Sequence, residues 1–329
     1  MACRAGRRRR RQRRRSRPVR RRKSGKDRQR VLSVDHVGKS FGNVVAVNDV
    51  AFAIPDGTTF GLLGPNGAGK TTTMRMILGI LEPDRGSLRW DGARIDRSAR
   101  RLFGYLPEER GLYAKMKVRE QIAYFARLHG VSKAESTRRA RAWIDQLQLS
   151  EFSDRPAGEL SKGNQQKVQV ACAAVHEPAL LVLDEPFSGL DPVNAEMLLA
   201  ILRAQQSRGT TLVLSSHQMW QLEELCTDFC IIADGINRAS GTLAELRTEF
   251  PTRVLRVAPA TDAVSAVLDA VTNARRLGMQ DGALDYEVSA DAPLPGILRD
   301  LVAADAITRF EAIEPSLQDI YLRAIGQAA

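Results

Sequence analysis

"TFGLLGPNGAGKTTTMRMILGILEP", residues 59–83, changes its pattern twice within one short stretch. "TFGLLG" is an apolar run that closes in a Gly-rich turn, and the residues after it set Met74, Ile77, Leu78 and Leu81 at i, i+3, i+4 and i+7. The order is therefore strand, loop, helix, with Pro83 stopping the helix. A phosphate-cradling loop needs this order, because the helix then points its unpaired N–H groups at an anion. Gly64, Gly67 and Gly69 let the backbone turn sharply enough for successive N–H groups to converge. Lys70 places a compact charge on the β- and γ-phosphates of a nucleotide, and the Thr71 hydroxyl suits Mg2+. The candidate ATP ligands here are Gly64, Pro65, Asn66, Gly67, Ala68, Gly69, Lys70, Thr71 and Thr72.

Upstream, from "VLSVDHV" through "VVAVNDVAFAI", apolar residues alternate and turn residues punctuate them, which predicts short strands of a mostly antiparallel sheet. Downstream, residues 118–152 read as helical, with Ser132 and Glu135 as a capping box and Ala140, Trp143, Ile144 and Leu147 along one face. Val168, Ala171, Cys172 and Val175 mark a further amphipathic helix, ended by Pro178. "ALLVLDE" and "TTLVLSS" then read as buried parallel strands, and between them Asp191 and Pro192 start a helix that Gly209 follows. The fold class is α/β: a P-loop core with a mainly parallel sheet, an antiparallel β subdomain and a helical insert at about 110–160.

The composition shifts near Phe250 and Pro251. Beyond them the order is strand ("RVLRVA"), helix (262–271), two strands, helix (294–303), strand ("AITRFEAI") and a last helix from Pro315. That is a small α+β unit of βαββαβ type with an added helix. The expected domains are thus a tail at 1–30, a nucleotide-binding domain at 31–245 and an accessory domain at 251–329.

"LLVLDEP" delivers Asp184 and Glu185 at the carboxyl end of a buried strand, where open α/β sheets bind ligands. Taken alone, two acids there could be a solvated turn. Paired with the loop upstream, Asp184 reads as a Mg2+ ligand and Glu185 as the general base that polarises the attacking water.

Among 329 residues the net charge is +11, but residues 1–30 hold 15 Arg and 2 Lys against 1 Asp, so the remainder is net negative by 5. The charge that would draw nucleic acid lies wholly in that block. Residues 4–23 cannot bury apolar surface and read as disordered, either as an arm for phosphates or lipid headgroups or as an over-extended start ahead of Val31. The second reading is preferred, and no apolar segment follows that would make a secretory signal. No run of 18 apolar residues occurs, so any transport needs a partner. Cys3, Cys172, Cys226 and Cys230 show no disulfide framework, and Cys226 and Cys230, one helical turn apart, read as buried thiols.

"LSKGNQQ" at 160–166 resembles the signature sequence of ABC nucleotide-binding domains, with Lys162 and Asn164 as departures and Ser161 and Gly163 as matches. "SGLD" at 188–191 looks like that family's D-loop, which ends on Asp191. His217 in "LSSHQM" stands at the place of its switch histidine, and Phe41 in "SFG" where an aromatic residue stacks on adenine. Viewed singly, His217 reads as a strand-end histidine and Phe41 as a core residue; their order and spacing favour the functional reading. The resemblance covers 31 to about 245. It implies that Ser161 and Gly163 bind the γ-phosphate of ATP held by the opposite protomer, and that His217 hydrogen-bonds that phosphate. Glu108 in "GYLPEERGLY" stands where the family carries a metal-reaching Gln. It keeps an oxygen for Mg2+ and adds a charge; the other reading is a solvated loop acid.

One phosphate loop and one signature per chain imply a second ATPase subunit, identical or not, in a head-to-tail dimer. "GTLAELRTEF" and the ending "EPSLQDIYL" look like ATPase subunits of bacterial exporters. The resemblance therefore implies a Mg2+-dependent ATPase that energises a polytopic transmembrane permease from the cytoplasmic face of the cell membrane, with residues near Glu108 to Lys117 contacting the permease. No specific nucleic-acid partner is expected. The competing class is a soluble ABC-type ATPase acting on nucleic acid or ribosomes; the Arg block favours it and the acidic body opposes it.

Overall fold

The structure, a computed structural model, describes residues 30–109, 111–216 and 218–326. The Arg-rich block, Cys3 and His217 lie outside the described residues. The chain opens with β1 (Arg30–Phe41) and β2 (Val44–Pro55), an antiparallel hairpin. These strands are 12 residues each, not short as the alternation predicts. The pairing shifts register at several points, one of them beside His36 with φ 46°, and such bulges let a ribbon twist and continue rather than end.

The buried strand β3 (Thr59–Leu63) leads into α1 (Lys70–Ile77). That helix stops before Pro83. Gly79 adopts φ 64°, its N–H donates to the Met76 carbonyl, and the Ile80 N–H donates to Arg75, a pairing that satisfies the last carbonyls without further turns. Leu81 still packs against the same core from outside the helix.

Next come β4 (Arg85–Trp90), β5 (Ala93–Arg94), α2 (Arg97–Arg100) and β6 (Phe103–Leu106). The helical insert holds α3 (Val118–Leu128) and α4 (Lys133–Gln146), and α4 buries Ala140, Trp143, Ile144 and Leu147 as the pattern predicts. Only half of the expected capping box is present. Ser132 accepts the Glu135 N–H, but the Glu135 carboxylate is taken by Arg138 and Arg139.

The helix α5 (Lys162–Ala174) is not amphipathic in its second half: Val168 to Ala174 are all buried, because it runs between the insert and the sheet. Then follow β7 (Leu180–Leu183), α6 (Pro192–Ser207), β8 (Thr211–Ser215), α7 (Met219–Leu225), β9 (Asp228–Ala233), β10 (Ile236–Thr242) and α8 (Leu243–Glu249). Asp191 caps α6 and Gly209 follows it at φ 92°, as expected. Cys226 and Cys230 do not share a helix. Cys226 ends α7 and Cys230 lies in β9, and both thiols are buried, which raises their pKa.

Ten strands form one sheet in the order β5-β4-β1-β2-β10-β9-β3-β8-β7-β6. β9, β3, β8, β7 and β6 pair in parallel, whereas β5, β4, β1 and β2 are antiparallel. The two parts meet where Ile236 of β10 pairs with Asp49 of β2.

The remaining elements are β11 (Thr252–Ala258), α9 (Asp262–Asp269), β12 (Arg275–Gln280), β13 (Ala283–Ser289), α10 (Leu294–Ala304), β14 (Arg309–Ile313) and α11 (Leu317–Ala324). Their antiparallel sheet has the order β12-β13-β11-β14, the arrangement of a βαββαβ unit. Leu255, Val257, Leu284, Tyr286 and Val288 face Val264, Leu268, Ile297 and Leu301 of α9 and α10. The added helix α11 does not join that core. Leu317 and Ile320 are buried among Leu222, Leu225 and Leu246 of the first unit.

Candidate functional site

β3 carries the phosphate loop into the centre of the parallel sheet, flanked by β8 and β9. The loop lies so close to its neighbours that side chains are excluded at two glycines. A Cβ at Gly64 would sit 2.3 Å from the Ile232 carbonyl oxygen, and one at Gly69, with φ 103°, 2.5 Å from that of Ala46. Gly69 caps α1 without a side-chain acceptor, so the helix's first N–H groups face the loop uncapped by any side chain. The Lys70 ammonium folds back over the loop, 2.6 Å from the Gly64 carbonyl oxygen and 3.1 Å from that of Pro65. Burial pushes the Lys70 pKa below its ordinary value, and the carboxylates of Glu185, Asp184 and Glu108 oppose that shift.

Asp184 and Glu185 follow β7 at its carboxyl end, and the Asp184 N–H is held by the Leu106 carbonyl of β6. Thr71 donates its hydroxyl to Asp184 Oδ2 at 2.7 Å, so the phosphate loop and the acidic strand end are joined directly. A second hydroxyl reaches the same carboxylate: Ser215 donates to Asp184 Oδ1 at 2.6 Å and accepts the Glu185 N–H at 3.0 Å. Glu185 has φ 50°, a left-handed backbone that a residue with a Cβ adopts only where its surroundings hold it. Lys70, Thr71, Asp184 and Glu185 are thus brought together. Hydroxyl and carboxylate oxygens are the hard donors that Mg2+ takes, and the Thr71–Asp184 pair fits that ion.

The other candidates stand apart from this cluster. Ser161 caps α5, its hydroxyl accepting the Asn164 N–H at 3.3 Å. A Cβ at Gly163 would lie 3.8 Å from Leu190 and 3.9 Å from Asn194, so the start of α5 adjoins the start of α6. Asp191 accepts the Asn194 N–H at 3.0 Å, and the Asn194 donors hold its carboxyl below the ordinary carboxylate value. Among the described residues no hydrogen bond joins Ser161, Gly163 or Asp191 to residues 64–72. Phe41, at the end of β1, is 48% exposed, with the Lys39 ammonium 5.8 Å from its ring. Glu108 is exposed and makes no hydrogen bond to Thr71 or Asp184.

Sequence reasoning missed three polar groups that tie the site together: Ser215, Gln166 and Gln169. Gln166 donates its amide to the Pro186 carbonyl at 2.8 Å, just past Glu185. Gln169 donates to the Glu109 carbonyl at 3.3 Å, beside Glu108. A signal was available for the two glutamines, since Gln169 stands in the otherwise apolar run "VQVACAAV" and Gln166 one turn before it, where a buried amide must find a partner.

A family model described as ABC transporter matches residues 47–188, and one described as ATP-binding protein DrrA1-3-like, C-terminal domain, matches 241–325. The chain is 40% identical over 305 residues to the uncharacterized ABC transporter ATP-binding protein YhaQ of Bacillus subtilis (strain 168), covering 90% of this chain and 99% of that protein. It is 33% identical over 301 residues to Nod factor export ATP-binding protein I of Burkholderia lata, covering 89% of this chain and 96% of the other. A solved ATP binding subunit of an ABC transporter superposes with a TM-score of 0.63 at 35% identity, covering 67% of this chain and 93% of its own.

Proposed function

This chain belongs to the ABC transporter family as an ATP-binding, ATP-hydrolysing subunit, and from that premise we propose that it drives export as half of a head-to-tail ATPase dimer on a polytopic permease. The observation that carries the site reading is the direct Thr71–Asp184 hydrogen bond, which couples the phosphate loop to the acidic strand end. Lys70 and the uncapped start of α1 bind the β- and γ-phosphates, residues 64–72 wrap them, and the Phe41 ring stacks on adenine. Glu185 takes a proton from the water that attacks the γ-phosphorus; the bond to the β-phosphate oxygen breaks, leaving ADP and phosphate. Thr71 and Asp184 would hold Mg2+, with Glu108 as a further oxygen, and the ion supplies charge neutralisation on the phosphates. Ser161, Gly163 and Asp191 face the nucleotide of the second subunit, and His217 completes the γ-phosphate contacts.

The direction of transport rests on relatives named for export, one of which is aligned along both the ATPase unit and the C-terminal unit. In this reading membrane attachment comes through the permease, at the cytoplasmic face; no helix among the described residues is itself long and apolar enough to cross a membrane. Residues 31–245 form the nucleotide-binding domain and 251–329 an accessory domain, since the strands of each sheet pair only among themselves. Purification from detergent-solubilised membranes tests the transport reading. A stoichiometric polytopic membrane protein is the expected companion; co-purification with ribosomes or nucleic acid in its place would overturn it.

A further inference from the structure

The acidic strand end is held by one hydroxyl that no motif accounts for. Ser215 closes β8 and is fully buried. Parallel pairing sets Leu183 against Leu214 on one side and Leu62 against Ser215 on the other, so register alone places Ser215 beside both Asp184 and the end of β3. Its hydroxyl does two things at once. It donates to Asp184 Oδ1 at 2.6 Å, which leaves Oδ2 turned toward Thr71. It also accepts the Glu185 N–H at 3.0 Å, and Glu185 is the residue whose backbone is left-handed at φ 50°.

We propose that Ser215 is a positioning residue for ATP hydrolysis: it fixes the rotation of the Asp184 carboxylate and pins the Glu185 backbone, so that the metal ligand and the general base are set by one donor–acceptor hydroxyl. The inference rests on the roles given to Asp184 and Glu185 above. With alanine at 215, the Asp184 carboxylate loses its only donor besides Thr71 among the described residues, and the buried Glu185 N–H loses its acceptor. The Asp184 carboxylate is then free to turn, and the Glu185 backbone to relax to φ below zero. Neither change removes the phosphate loop's own N–H groups or the hydrogen bonds of Lys70 to the Gly64 and Pro65 carbonyls, so nucleotide binding without metal is largely retained.

Ser215→Ala, Ser215→Thr and Glu185→Gln, each as the full chain, are compared with the natural protein in steady-state ATPase, in equilibrium binding of a fluorescent ATP analogue with EDTA or Mg2+, and in thermal melting. Ser215→Ala is expected to lose roughly 10- to 100-fold in kcat, as for groups that orient a metal ligand. Its affinity in EDTA stays within about twofold, and the extra affinity conferred by Mg2+ shrinks by roughly threefold or more. Ser215→Thr, which keeps the hydroxyl, restores both. Ser215→Ala with kcat within about threefold of the natural protein overturns the proposal. So does a loss of EDTA affinity and melting temperature that accounts for the fall in kcat, because Ser215 is then a packing residue only. If Glu185→Gln turns over normally, the reading of the acidic pair fails and takes this inference with it; if Glu185→Gln is inactive while Ser215→Ala is active, only the inference fails.

Discussion

Asp184 offers its two carboxylate oxygens to hydroxyls from different elements, Thr71 in the first turn of α1 and Ser215 at the end of β8. Both acids were legible in "LLVLDEP", because the apolar run that ends in them follows a phosphate loop upstream; alone, the pair would read equally as a solvated turn. Ser215 was not legible, since a serine closing "TTLVLS" looks like any strand end until register brings it opposite Asp184. Glu185→Gln is expected to keep ATP binding and to lose hydrolysis by roughly two or more orders of magnitude, as for a lost general base; steady-state turnover of the variant checks this. Glu108 poses the opposite problem, for neither residue type nor side-chain hydrogen bonding separates its carboxylate from that of Glu109 beside it. It lies near enough to Lys70 to favour that ammonium's charged form. Glu108→Gln is expected to raise the Mg2+ concentration for half-maximal ATPase by roughly twofold or more while sparing the rate at saturating Mg2+. Superimposable Mg2+ titrations of the two proteins would place Glu108 in solvent with no part in metal binding.

Helix ends show where pattern reading stops short. Leu81 fits the periodicity of α1 and packs on the same core, yet Gly79 ends the helix first, because a left-handed residue satisfies its carbonyls sooner than Pro83 can block it. At the ends of α3 and α5, His129 and His176 stack with ring centroids 3.6 Å apart, each bonded to a backbone carbonyl, of Arg101 and Phe103. Burial, then the charges of His129 and Arg139, push His176 down to about 3. Its folded value lies below the unfolded one, so protons favour the unfolded chain. The stabilising difference is fully present above pH ~6.5 and is lost as pH falls toward ~3, amounting to about 2 kcal/mol by pH 5. Urea unfolding at pH 7 and pH 5 should show this loss in the natural protein and a smaller one in His176→Gln; equal losses would contradict it. The helix α11 carries a different lesson: a last helix after Pro315 was readable, but not the core it would enter. The Leu317 N–H donates to Glu223 of α7, and Arg247 of α8 pairs with Glu314, so its start is fastened to the ATPase unit. Ile320→Ala should cost about 2–4 kcal/mol, and tryptophan fluorescence should register the loss as earlier unfolding of the ATPase unit. An unchanged transition there would detach α11 from that core.

Taken as a whole, the molecule's layout followed from the order of its patterns: alternating strands, phosphate loop, helical insert, acidic strand, then a βαββαβ unit. Two long-range features lay beyond that reading. One is the junction of the two sheet halves at the Ile236–Asp49 bridge, and the other is the return of α11. Both depend on pairings between distant segments, to which local periodicity is blind. The same long-range geometry bears on assembly. The starts of α5 and α6 adjoin one another, and no hydrogen bond among the described residues connects them with the phosphate loop of their own chain. In the dimer proposed above, with this chain as both subunits, a complete site takes the loop of one copy and the α5 start of the other, with ATP as the link between them. Light scattering of Glu185→Gln, in which hydrolysis cannot release the nucleotide, measures this most directly. Saturating ATP with Mg2+ should double the mass from that of the 36.3 kDa single chain, and removal of ATP should reverse the change. A mass that stays at one chain under saturating ATP, or that doubles whether or not ATP is present, would contradict a site completed by a second copy of this chain through its nucleotide.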